Sequence, residues 1–277
     1  MHSLSKLRTC FTLTSMMILG LWHSIPHIQQ ILMYLLLGLT CTFGLSHGAL
    51  DWDIAKRRGL RKGILGTIGF IVCYVLISLL FMVYWWFFPD ASFSIFLAIS
   101  IWHFSTDWQT EVRPVLGLLL ALSVIIAPIT WYPSECWSIF NLFMPYHLSP
   151  NKIFSVGYLS YVVLPICLIG ILLTKDINLY LEWSMLMILA YGLPPVMFFS
   201  LYFCHLHAFK HWMTYYDSKQ HSSHIILITL LSVLLGIIIF VYFKNINLWA
   251  SSLKIIFLEL AALTIPHWIL INVLTRK

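Results

Sequence analysis

A chain of 277 residues with 60% hydrophobic and only 9% charged residues, and a mean hydropathy of +0.89, is excluded from the soluble class. A soluble domain carries about 25% charged residues. The net charge of +6 does not point to nucleic acid, because it follows from where the basic residues sit between apolar runs.

Those runs fall at 9–23, 27–50, 64–88, 91–109, 113–132, 152–173, 179–193, 196–216, 225–243 and 252–274. Lengths near 20 residues predict membrane helices. The alternating pattern of a membrane barrel is absent. The first and seventh runs are short. The seventh and eighth are divided by Pro194-Pro195, which no straight helix interior tolerates. The expected fold is therefore an all-α polytopic membrane bundle of about 8–10 spans, one domain over 1–277. Lys6 and Arg8 before the first run look like the start of a signal peptide. No convincing small-residue cleavage site follows, so a retained span is expected. The six cysteines are scattered without a CxxC and read as packing residues.

Charge placement favours ten crossings with both termini inside. Of the 16 Lys and Arg, 13 then fall inside and only Lys152, Lys244 and Lys254 outside. This is the asymmetry of a multi-pass protein of the plasma membrane, with both termini cytoplasmic.

One stretch concentrates ionisable side chains in apolar surroundings: His205-Leu206-His207-Ala208-Phe209-Lys210-His211. Polar groups at membrane depth are costly and suggest function. His207 and His211 are four apart, so on an α-helix they share a face and suit a single transition metal. An interfacial pair at a helix end is the plainer alternative. With ten spans, His47, His103, His211 and His267 all lie toward the cytoplasmic ends of their helices, each eight to ten residues before a basic residue. His47-Gly-Ala-Leu-Asp51 and His103-Phe-Ser-Thr-Asp107 repeat the four-residue spacing. Asp51 and Asp107 suit the carboxylates that orient metal-bound imidazoles, their own or a neighbour's. Solvated helix-end aspartates are the alternative. His267 is open between a direct ligand and a pocket residue, and Glu259 is a further intramembrane charge. His205 points away from the His207–His211 face.

Imidazoles without thiolates suit iron, zinc or copper. Four of them in an apolar shell suit iron and dioxygen chemistry. Trp102, Phe104, Phe203 and Trp268 neighbour the histidines and would wall a planar conjugated ligand, although each also suits ordinary membrane packing.

The segments Ser46-His47-Gly48-Ala49-Leu50-Asp51, Trp102-His103-Phe104-Ser105-Thr106-Asp107, Tyr202-Phe203 through His211, and Pro266-His267 resemble the Brp/Blh family. Motif order, gaps and total length agree over nearly the whole chain. The family's integral-membrane enzymes cleave β-carotene to retinal. The resemblance implies Fe(2+) held by His47, His103, His207 and His211. It also implies cleavage of the central 15,15′ double bond with O2 to two all-trans-retinal, with a carotenoid and O2 as partners, a bilayer as surroundings, and a microbial rhodopsin as a retinal acceptor. Ser105, Lys210, Trp52 and Trp268 stand where the family pattern has glycine, arginine, a nearby histidine and methionine. Two other classes fit less well. A membrane di-iron hydroxylase or desaturase needs several HxxxH and HxxHH boxes, and this chain has no HxxHH. A metal or proton transporter would spread its histidines through the membrane depth.

Overall fold

The computed structural model describes residues 2–40, 50–144, 150–215, 230, 234 and 248–274. The described residues are all-α, with no strand among them. The helices are α1 (His2–Ser24), α2 (Gln29–Leu39), α3 (Asp51–Arg57), α4 (Gly63–Phe87), α5 (Pro89–Ser105), α6 (Pro114–Trp131), α7 (Pro133–Asn141), α8 (Pro150–Tyr158), α9 (Ser160–Thr174), α10 (Ile177–Gly192), α11 (Pro195–Leu201), α12 (Ala208–Tyr215) and α13 (Leu248–Ile269). Two π-helical stretches interrupt the pattern, Tyr202–His207 and Leu270–Leu274.

Local chemistry sets the helix ends. Asp176 caps α10 by accepting from the Asn178 and Leu179 amides at 2.9 and 3.2 Å. Such a cap satisfies donors that a helix start leaves open. Pro114 and Pro195 start α6 and α11 at the position where a missing N–H costs nothing. Pro194 and Pro195 thus mark a break between two helices, at the point that divides the runs 179–193 and 196–216. The turn between α3 and α4 needs left-handed backbone at Gly59 and Gly63, with φ of 75° and 67°.

Among the described residues, four stretches are long and apolar enough to cross a membrane: Gly63–Phe87, Pro114–Trp131, Ser155–Thr174 and Leu253–Leu274. They coincide with four of the predicted runs. The runs 91–109 and 179–193 form the shorter helices α5 and α10, whereas 225–243 lies almost wholly outside the described residues.

The chain divides into two units. The first comprises Met1–Thr40, Ile101–Asn141 and Pro145–Lys210. Its centre is α6, whose Leu120, Ala121, Val124 and Ala127 are buried under α8, α9 and α10. A buried Trp183 indole donates to Ser123 Oγ at 3.0 Å across α10 and α6. Helix α1 lies on α10, and α2 lies on α11, where Thr40 donates to Ser200 Oγ at 2.9 Å. Small and hydroxyl residues at such crossings are how apolar helices gain specific contact where water supplies no driving force.

The second unit comprises Cys41–Ser100, Leu142–Met144 and His211–Lys277. Helix α4 packs on α13, and Leu50, Ile54, Ala55, Leu270 and Ile271 form a buried cluster. Most of α4 is exposed, Ile64, Leu65 and Leu79 among its apolar side chains, a surface suited to lipid.

One contact ties packing to the site. Gly117 of α6 approaches the end of α5, which carries His103, so closely that a Cβ would stand 3.2 Å from the Ser105 carbonyl oxygen. Backbone cannot swing aside. Gly117→Val should therefore destabilise the protein by about 1–3 kcal/mol through overpacking. Gly69, where a Cβ would meet nothing within 4 Å, is the comparison: Gly69→Ala should not lower the melting temperature. Equal melting curves for Gly117→Val and wild type in detergent would contradict this.

Candidate functional site

In the first unit α5 ends in a tight turn, Thr106–Trp108, that carries Asp107 inward. The Asp107 side chain is 3% exposed, which disposes of the solvated alternative. His207 donates from Nδ1 to Asp107 Oδ1 at 2.9 Å, and the Tyr202 hydroxyl donates to Asp107 Oδ2 at 2.8 Å. Of the two orienting roles open to the carboxylate, it takes the second. Asp107 serves an imidazole from another helix, not His103 four residues before it.

The π-helical stretch explains why one carboxylate reaches both side chains. On an α-helix, residues five apart lie about 140° apart around the axis. A π-turn closes from i to i+5 and brings such residues nearer one face. Tyr202 and His207 are five apart and span that stretch. His103 is buried with its ring centroid 4.9 Å from that of His207, at 81° between planes. Phe104 and Phe203 flank His207 with centroids at 4.8 and 5.6 Å, the latter stacked. Trp102 is 42% exposed on the outer side of its helix.

The second unit repeats the motif with different helices. His267 of α13 donates from Nδ1 to Asp51 Oδ1 at 2.7 Å, and the Tyr74 hydroxyl of α4 donates to Asp51 Oδ2 at 2.8 Å. The ring centroids of His211 and His267 are 5.1 Å apart. Asp51 is buried, so it too is no solvated helix end. His47 lies outside the described residues. Glu259 is partly buried, and its Oε1 has no hydrogen-bond partner among the described residues. Trp268 beside His267 is partly buried. His205 sits apart, near Phe11 and 3.4 Å from Thr14 Oγ1, as its position off the His207 face predicts.

The donor chemistry fits a transition metal. A carboxylate accepts only, so a neutral imidazole bonded to it through Nδ1–H keeps its lone pair on Nε2. That is the form in which metal-bound histidines are held. Two imidazoles with nitrogens about 2.1 Å from one ion have ring centroids roughly 4.5–5.3 Å apart, by simple geometry. Both observed pairs fall in that range. Among the described residues, no group of three or more His, Cys, Asp or Glu side chains is gathered for a metal.

Beside the first pair lies a buried charge cluster. Glu182 of α10 accepts from Arg8 Nε at 2.7 Å, Trp108 Nε1 at 2.7 Å and Lys210 Nζ at 2.6 Å. Arg8 also pairs with Glu111. Glu182 thereby holds the residue after Asp107 and the helix that follows His207. An acid inside an apolar run is the signal that singled out Glu259, and it applies equally to Glu182. Tyr74 carried no sequence signal, since a tyrosine in an apolar run is ordinary.

A family profile described as β-carotene 15,15′-dioxygenase matches residues 38–275. A protein from uncultured marine bacterium 66A03, named β-carotene 15,15′-dioxygenase, is 30% identical over 261 residues, covering 87% of this chain and 93% of that one. No solved structure matches.

Proposed function

The chain belongs to the β-carotene 15,15′-dioxygenase family, and we propose that it cleaves the central 15,15′ double bond of β-carotene with O2 to give two all-trans-retinal. The carotenoid-cleaving activity is the family's. The site reading rests on one observation, the hydrogen bond of His207 Nδ1 to an Asp107 carboxylate that Tyr202 also holds, beside the buried ring of His103.

His47, His103, His207 and His211 are the proposed ligands of one Fe(2+), and 1–277 acts as one catalytic domain. The iron, when bound, supplies the redox chemistry by which O2 reacts with a carbon–carbon double bond. The chain's own work is positional. Asp107 fixes the His207 ring and keeps the hydrogen on Nδ1. Phe104 and Phe203 present flat apolar faces beside that ring, suited to a conjugated polyene. Trp102 and Trp268 complete the proposed substrate pocket. The buried surroundings of His103 and His207 exclude water from the reacting centre. No protein nucleophile is needed. The enzyme would sit in the plasma membrane with both termini cytoplasmic, where an apolar carotenoid dissolves, and would hand retinal to a rhodopsin.

Expression in carotene-producing bacteria tests the activity. Orange cells should lose colour and accumulate retinal, and the purified protein should carry about one iron per chain, as one four-histidine site requires. Cells that keep their colour, or an active preparation with two iron atoms or only zinc, would sink the reading.

A further inference from the structure

We infer that His267 is a metal-ligating imidazole, paired with His211 and presented by Asp51 and Tyr74. The inference rests on the metal reading above and adds a ligand to it. Asp51 takes the Nδ1 hydrogen of His267 at 2.7 Å, which leaves the Nε2 lone pair for a metal. The Tyr74 hydroxyl holds the other carboxylate oxygen at 2.8 Å and so fixes the carboxylate plane. His211 stands at the ring separation that two ligands of one ion require.

A satisfied core histidine is the competing account, and it explains less. A histidine needing only one partner could bond a carbonyl on its own helix. His267 instead takes a buried carboxylate 216 residues away in sequence, which a tyrosine from a third helix orients. Burying a carboxylate at membrane depth is costly, and that cost is rarely borne for packing alone. The same three residue types meet through the same atoms at His207, Asp107 and Tyr202, and the distances agree within 0.2 Å there (2.9 and 2.8 Å against 2.7 and 2.8 Å). His207 is the proposed ligand in that set, and His267 occupies the corresponding place in this one.

Cobalt(II) binding to the full chain in detergent tests this without turnover. In His267→Cys, a thiolate-to-cobalt charge-transfer band should appear in the near ultraviolet; His205→Cys should give none. Asp51→Asn should weaken cobalt binding by about 10–100-fold, the usual loss for an outer partner of a ligand. Tyr74→Phe should weaken it by less, with the melting temperature of the metal-free protein unchanged. Wild-type protein that takes up no cobalt overturns the metal reading and this inference together. Wild-type protein that binds cobalt while His267→Cys shows no band overturns the inference alone. Should the cysteine variant not reach the membrane, unchanged affinity in both Asp51→Asn and Tyr74→Phe overturns it equally.

Discussion

His207→Ala and His211→Ala should each abolish retinal formation, by more than about 100-fold, while the protein remains in the membrane. Losing an outer-shell partner alone can cost 10–100-fold, and a direct ligand should cost more. His207 is the better-defined case. Its ring is fully buried, Asp107 sets its hydrogen position, and His103 stands 4.9 Å away. Alanine removes the ring but not the apolar character on which insertion depends, since alanine is the more apolar residue. His205→Ala is the internal control, because that ring packs on Phe11 and Thr14. Retinal formed per unit of membrane protein, with iron content alongside, decides the matter. A dead His205→Ala beside an active His207→Ala would assign the wrong face. Full activity in all three would move the site off this stretch.

The second large effect concerns Glu182 and is one of stability before it is one of activity. Its carboxylate is wholly buried and accepts from two cations and an indole. Glu182→Ala strips Arg8 and Lys210 of a buried counter-charge together. Breaking a buried pair by removing one partner costs about 3–5 kcal/mol, because a charge is left uncompensated. Glu182→Gln keeps the shape and one acceptor oxygen and should lose less. The melting temperature in detergent and the amount of protein held in the membrane should both fall in the order wild type, Gln, Ala. Retinal formation should fall with them, since Trp108 adjoins Asp107 and Lys210 lies in the helix after His207. An alanine variant as stable as wild type would show that the cluster is not holding these segments.

The cluster also changes what Arg8 and Lys210 mean. The ten-span expectation counts both as inside charges. In the fold both are buried against Glu182.

Composition alone determined that this chain is an all-α membrane protein, because continuous apolar runs leave the backbone no partner but its own helix. Four of the runs became helices of spanning length, and Pro194-Pro195 broke the chain where a helix interior could not hold it. Motif spacing also picked out His103, Asp107, His207, His211 and Asp51, and the expected common depth picked out His267, since charge and imidazole stand out against apolar neighbours. Spacing within one helix could not determine which carboxylate serves which histidine. Asp107 lies four residues from His103 yet binds His207, and Asp51 binds His267. Those pairings join residues 100 and 216 apart in sequence, a separation that leaves no local trace. The two tyrosines were hidden for the same reason: Tyr202 shares a face with His207 only because the chain relaxes into a π-turn, and Tyr74 reaches Asp51 only because α4 passes beside it. Local periodicity can report which residues are chemically expensive, but only the packing of distant helices decides which of them meet.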